Sequence, residues 1–135
     1  SPIFNYPYER TRDVLENLRR SEDWDANHGI KLRYINPITG ESAMPTIGAY
    51  MQLLPKDFYT EPYRSTDATV YVPVEGSGRS TIGGQIYKWE PKDIFIAPSW
   101  TWVTHEADED AVLFSYSDRP CQEKLGFFRE ERGKR

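Results

Sequence analysis

The sequence predicts an all-β chain, an antiparallel sandwich or barrel with one helix before it and a short one after it. Three observations predict this class. Eight short runs of β-type residues, 30–35, 47–54, 68–74, 79–82, 85–89, 93–97, 100–105 and 111–116, follow one another with no helical pattern between them, so parallel crossovers have nothing to run through. Turn residues punctuate the runs: Asn36-Pro37 with Gly40, Glu75-Gly76-Ser77-Gly78, Gly83-Gly84, Glu90-Pro91-Lys92-Asp93 and Ala107-Asp108-Glu109-Asp110. The composition, 38% hydrophobic with four Trp, nine Tyr and six Phe, is too apolar and aromatic for a disordered chain.

Taken in order, residues 1–8 place Phe4, Tyr6 and Tyr8 between and beside Pro2 and Pro7, the pattern of an extended arm that needs an apolar surface, such as a partner subunit, to lie on. From 9 to 20 the period becomes helical. Val14, Leu15 and Leu18 share one stripe while Arg10, Asp13, Glu16, Arg19 and Arg20 cover the rest. A polar loop through His28 leads into the first strand run, whose alternation Ile30-Lys31-Leu32-Arg33-Tyr34-Ile35 has a period of two. After the last strand run, Cys121, Leu125 and Phe128 stand at helical spacing and predict a closing helix in 120–128 on the barrel's outside. Arg129, Arg132, Lys134 and Arg135, interleaved with Glu130 and Glu131, are expected to form a frayed, solvated end. A single domain is expected overall: arm and helix in 1–28, barrel in 29–118, helix and tail in 119–135. A chain of 135 residues can bury roughly two-thirds of its unfolded surface, enough for a core.

A net charge of -4 with both signs interleaved offers no broad basic face, which argues against nucleic acid. No stretch reaches the ~20 apolar residues of a membrane helix, and no signal-peptide pattern opens the chain. Cys121 is alone, so no internal disulfide can form; a cytoplasmic location is expected, with Cys121 as a small buried hydrophobe. The opening Ser1-Pro2-Ile3, without Met, is expected of a fragment or a processed product.

The segment Pro73-Val74-Glu75-Gly76-Ser77-Gly78, the run 84–89 and then Pro91-Lys92-Asp93-Ile94-Phe95-Ile96-Ala97-Pro98 resemble the cupin pattern, a double-stranded β-helix or jelly-roll barrel. Further stretches narrow the resemblance: Ser1-Pro2-Ile3-Phe4-Asn5-Tyr6-Pro7-Tyr8-Glu9-Arg10, Leu32-Arg33-Tyr34-Ile35-Asn36-Pro37, Met44-Pro45-Thr46-Ile47-Gly48-Ala49 and Leu113-Phe114-Ser115-Tyr116-Ser117-Asp118-Arg119-Pro120. Together they resemble the C-terminal half of the gentisate 1,2-dioxygenase family, which includes related salicylate and 1-hydroxy-2-naphthoate ring-cleaving enzymes. The resemblance implies a bicupin parent whose N-terminal cupin holds catalytic Fe(II) through histidines while the C-terminal cupin often lacks a metal. It also implies insertion of both atoms of O2 into a hydroxylated aromatic acid, and a homo-oligomer, a tetramer being known in the family.

The same resemblance locates the ligand positions. They fall twelve and ten residues before Glu75, at Tyr63 and Ser65, and at Val103 within Trp100-Thr101-Trp102-Val103-Thr104-His105, where the iron-bearing pattern reads WxWHxH. All three are replaced. An iron centre needs several imidazole or carboxylate donors converging on one point, and this chain has only His28 and His105. The expectation is therefore no metal, no cofactor and no catalytic residue in this chain, with a structural or oligomerisation role. A free-standing metal-free barrel is the competing expectation, binding a small aromatic or acidic ligand with Arg64, Tyr71, Trp102 and His105 lining the pocket and Arg64 meeting a carboxylate.

Other candidates have plainer readings. His105, at the end of a strand run and next to Glu106, has the position of a general base at a barrel mouth. Adjacent strand residues face opposite ways, so a buried histidine bonded to backbone or to a cross-strand Tyr is expected. Trp100 and Trp102 would share a strand face and fill core or interface. Asp67, Glu75 and Asp93 stand at turns, where capping of backbone N–H groups is expected. Gly76-Ser77-Gly78 opens no helix and is too short for a phosphate loop, and one Cys with two His suggests no nucleophilic triad.

Overall fold

Residues 7–21, 24–34, 44 and 46–134 are described by a computed structural model, in which the strand runs form two five-stranded antiparallel sheets. Helix α1 (Tyr8–Arg19) is followed by β1 (Ile30–Arg33), β2 (Gly48–Leu54), β3 (Tyr63–Ser65), β4 (Thr69–Glu75), β5 (Gly78–Ile82), β6 (Gln85–Trp89), β7 (Phe95–Ala97), β8 (Val103–Ala107) and β9 (Ala111–Ser117). Helix α2 (Arg119–Lys124) and β10 (Glu130–Arg132) close the described chain. One sheet runs β1-β2-β9-β4-β7 and the other β10-β3-β8-β5-β6. The expected antiparallel sandwich or barrel is what forms.

The period-two alternation sorts the side chains into two cores. Leu54, Leu113, Tyr71, Ile82, Trp89 and Val103 meet between the sheets, whereas Ile30, Met51, Leu53 and Val112 turn outward and are covered by Leu15 of α1. Only part of the expected helical stripe is buried: Leu15 is fully covered, but Val14 and Leu18 are each 41% exposed, and Thr11 joins Leu15 below the helix. The reason is that the stripe facing the sheet is Tyr8, Thr11 and Leu15, with Val14 and Leu18 to one side of it. Ion pairs hold its flank, Arg12 to Glu75 at 3.1 Å and Arg19 to Asp110 at 2.6 Å, each reaching a connection between the two sheets.

Several expectations change here. The charged end is not a frayed tail: Glu130, Glu131 and Arg132 pair with Ser65, Arg64 and Tyr63 in register, a short strand that carries no hydrophobic alternation and so gave no signal. The run 100–105 starts too early, because Trp100 turns through a positive φ of 57° and β8 begins at Val103. Trp100 and Trp102 therefore do not share a strand face. The closing helix stops at Lys124 with Leu125 exposed and Cys121 only partly buried. Phe4 and Tyr6 of the arm, and the turn at 36–40, lie outside the described residues, while Tyr8 opens α1 and packs on the core beneath it. Among the described residues no helix is long and apolar enough to cross a membrane.

Candidate functional site

The barrel interior is built from inward residues of both sheets, β2, β4 and β9 on one side and β3, β5 and β8 on the other. Tyr63 lies opposite Val103 across the β3–β8 pair, and Ser65, two residues on, faces the same way. The three positions that resemblance marks as ligand sites thus line one cavity. Their chemistry is spoken for: the Tyr63 hydroxyl donates to Glu130, the Ser65 hydroxyl donates to Asp67, and Val103 offers no donor atom. Burial, and after it the Glu130 carboxylate, pushes the Tyr63 phenol above its ordinary pKa, so a phenolate ligand is disfavoured at neutral pH. These residues do not fit an iron ion. Among the described residues no group of three or more His, Cys, Asp or Glu is arranged to hold a metal.

His105 does not stand at a barrel mouth. It is the middle residue of β8, 4% exposed, with Nδ1 2.6 Å from Ser80 Oγ, which also accepts the Trp89 indole N–H at 2.9 Å. Its backbone is bracketed as well, the N–H donating to Thr60 Oγ1 at 2.7 Å. Burial, with a minor contribution from Lys31, lowers its pKa to about 3, so the ring is neutral at physiological pH. The expected buried, hydrogen-bonded histidine is found, with Ser80 of the neighbouring strand as its partner in place of backbone or Tyr. Glu106 points the other way and pairs with Arg79 at 2.6 Å. His28 rests its ring edge-on against Tyr63, 4.4 Å between centroids.

Arg64, Tyr71, Trp102 and His105 are not gathered around one cavity. The Arg64 guanidinium lies over the rings of Trp100 and Trp102, at 4.2 and 4.5 Å, and its terminal nitrogen donates to Glu131 at 2.7 Å. The carboxylate it meets is therefore the chain's own. Trp102 lines an outer groove with Pro62, Thr104 and Gly133, whereas Arg64 and Tyr71 both line an inner cavity of about 30 Å3, room for no more than one or two water molecules, that Trp102 and His105 do not reach. The turn carboxylates also divide. Asp93 caps the Glu90 N–H at 2.9 Å as expected, but Glu75 takes Arg12 and Asp67 takes the Ser65 hydroxyl.

The sequence reading missed Lys31 and Arg119. Because Ile30 and Leu32 turn toward α1, Lys31 between them turns inward, where it lines the inner cavity and a larger cleft of about 420 Å3 above it. Its ammonium sits 4.7 Å above the Tyr50 ring. Arg119, the first residue of α2, lines both spaces too. The alternation in 30–35 carried this signal, but which face was interior depended on where α1 packs.

No family model matches the chain. It is 58% identical over 132 residues to gentisate 1,2 dioxygenase 1 of Aquipseudomonas alcaligenes, a match covering 98% of this chain and 38% of that protein. It is 34% identical to 5-aminosalicylate 1,2-dioxygenase of Comamonas sp, covering 96% of this chain and 35% of the relative. Among solved structures, salicylate 1,2-dioxygenase from Pseudaminobacter salicylatoxidans superposes with a TM-score of 0.88 at 32% identity, over 98% of this chain and 39% of that one. A cupin 2 domain-containing protein from Halorhodospira halophila, 14% identical with a TM-score of 0.58 over 70% of this chain and 77% of its own, shares the fold alone. The chain spans little more than a third of the length of the curated relatives it matches. Over nearly all of its residues, then, this cupin-fold chain belongs to the gentisate 1,2-dioxygenase family, matching one part of those longer proteins.

Proposed function

We propose that the chain acts as the metal-free C-terminal cupin of a gentisate 1,2-dioxygenase-like ring-cleaving oxidoreductase, where its task is scaffold and subunit contact. The reaction would take place at Fe(II) held in a separate N-terminal cupin, on a hydroxylated aromatic acid. The observation that carries this reading is the state of the three inward positions, a phenol bonded to Glu130, a hydroxyl bonded to Asp67 and an isopropyl group. A contact role is supported by the apolar residues left on the outside: Ile94 at 69% exposure and Ile96 at 56%, with Ile86, Leu125 and Phe127 similarly open. A cytoplasmic homo-oligomer, a tetramer in particular, is part of the same proposal.

Metal analysis tests it. The purified chain, reconstituted anaerobically with Fe(II) and desalted, should retain far less than one iron per chain. One tightly held iron per chain would refute the scaffold reading.

A further inference from the structure

We propose that the mouth of the barrel is a binding site for a small organic monocarboxylate, its charged head held between Lys31 and Arg119 and its organic part lying in the cleft above Tyr50. The cleft, about 420 Å3, is large enough for such a molecule and narrows to the inner cavity of about 30 Å3 at residues lining both, Lys31, Tyr50 and Arg119.

Charge argues for the ligand's sign. Four cations line the cleft, Lys31, Arg33, Arg119 and Arg132, against the carboxylates Asp25 and Glu130. Arg132 is neutralised by Asp25 at 2.9 Å, and Glu130 keeps its charge while accepting the Tyr63 hydroxyl, one carboxylate against the three cations Lys31, Arg33 and Arg119. Among the described residues Lys31 and Arg33 have no carboxylate within ion-pair distance, and Arg119, whose guanidinium lies 4.3 Å over the Phe128 ring, pairs with a carboxylate only at Glu123, through Nε at 3.4 Å. Cations that remain unpaired in a partly enclosed space attract an anion whose oxygens can accept their hydrogen bonds. The buried Asp67 lines the inner cavity and repels a second negative charge, so a singly charged carboxylate suits the neck better than a phosphate.

Titration offers a further handle. Burial lowers Lys31 to a pKa of about 8, offset in part by Asp67, with Arg119, Asp25 and Glu130 as the other charges facing it from α2, the loop before β1, and β10. A bound carboxylate needs the protonated amine, so affinity should fall as pH rises through that value.

The cleft stands whether or not the barrel is free of iron, so the two tests fail separately. Calorimetric titration of the full 135-residue chain with sodium benzoate, sodium acetate and inorganic phosphate decides the matter. Benzoate should bind at one site, acetate more weakly and phosphate more weakly than benzoate, with benzoate affinity falling at least threefold between pH 7 and 9. Lys31→Met should weaken benzoate at least tenfold. If that variant fails to fold, Arg33→Ser on the exposed rim should weaken it two- to threefold. Absence of benzoate binding, phosphate binding as tight as benzoate, or an affinity unchanged in the folded variants would overturn the proposal.

Discussion

Two glycines and a histidine show how single residues fix this barrel. Gly76 turns at a φ of +73°, and a Cβ there would stand 2.3 Å from the Asp110 carbonyl; one at Gly78 would stand 2.2 Å from the Glu106 carbonyl and 2.8 Å from the Trp89 ring. The Glu-Gly-Ser-Gly turn thus lets β5 approach β8 closely enough for Ser80 to reach His105. That hydrogen-bonded ring then carries a pH dependence. A histidine near 6.5 when unfolded and about 3 when folded binds more protons in the unfolded state, so its contribution to stability is complete above pH 6.5 and is lost as pH falls toward 3. The slope reaches at most about 1.4 kcal/mol per pH unit. Urea unfolding of the wild type between pH 7 and 4 should follow it, and His105→Asn, which keeps a group able to bond Ser80, should flatten the profile while leaving the part due to His28, whose pKa is also lowered by burial. Parallel profiles for both proteins would show that His105 is not the titrating group.

At the level of elements, α1 is held by one buried leucine and a set of partly exposed ion pairs. Exposed pairs contribute about 0–1 kcal/mol each, so Leu15, fully covered between Met51, Leu53 and Val112, is the principal anchor. Leu15→Ala should lower the unfolding free energy by about 2–5 kcal/mol, measured by urea denaturation, while Leu18→Ala at the exposed edge of the same helix should change it by less than about 1 kcal/mol. Equal losses would mean that the helix lies on the sheet along its whole stripe. Elements of five or more residues with alternating apolar side chains were visible in the sequence, β2, β4, β6 and β9 within one or two residues of their ends. β3 and β10 were not. Each has three residues, neither alternates between apolar and polar, and they form because each supplies the other's backbone partners, with Arg64 clamped between Trp100, Trp102 and Glu131.

Across the whole molecule, the apolar side chains left outside the barrel form its least explained surface. Ile94 and Ile96 flank and occupy β7, an edge strand of the helix-bearing sheet. Sedimentation velocity of the chain should detect self-association that Ile94→Lys with Ile96→Lys reduces at unchanged melting temperature; a wild type monomeric at all concentrations would remove this face as a contact between copies. The sequence by itself determined the antiparallel class, most of the strands and the family, because alternation, turn residues and ordered motifs are local properties of the chain. Only the tertiary structure decided that the Arg64 guanidinium lies over two tryptophans, that His105 answers to Ser80, and that Lys31 faces the barrel mouth. Those outcomes depend on which strands become neighbours and which face a helix covers, and a period of two says that side chains alternate without saying which side is inside.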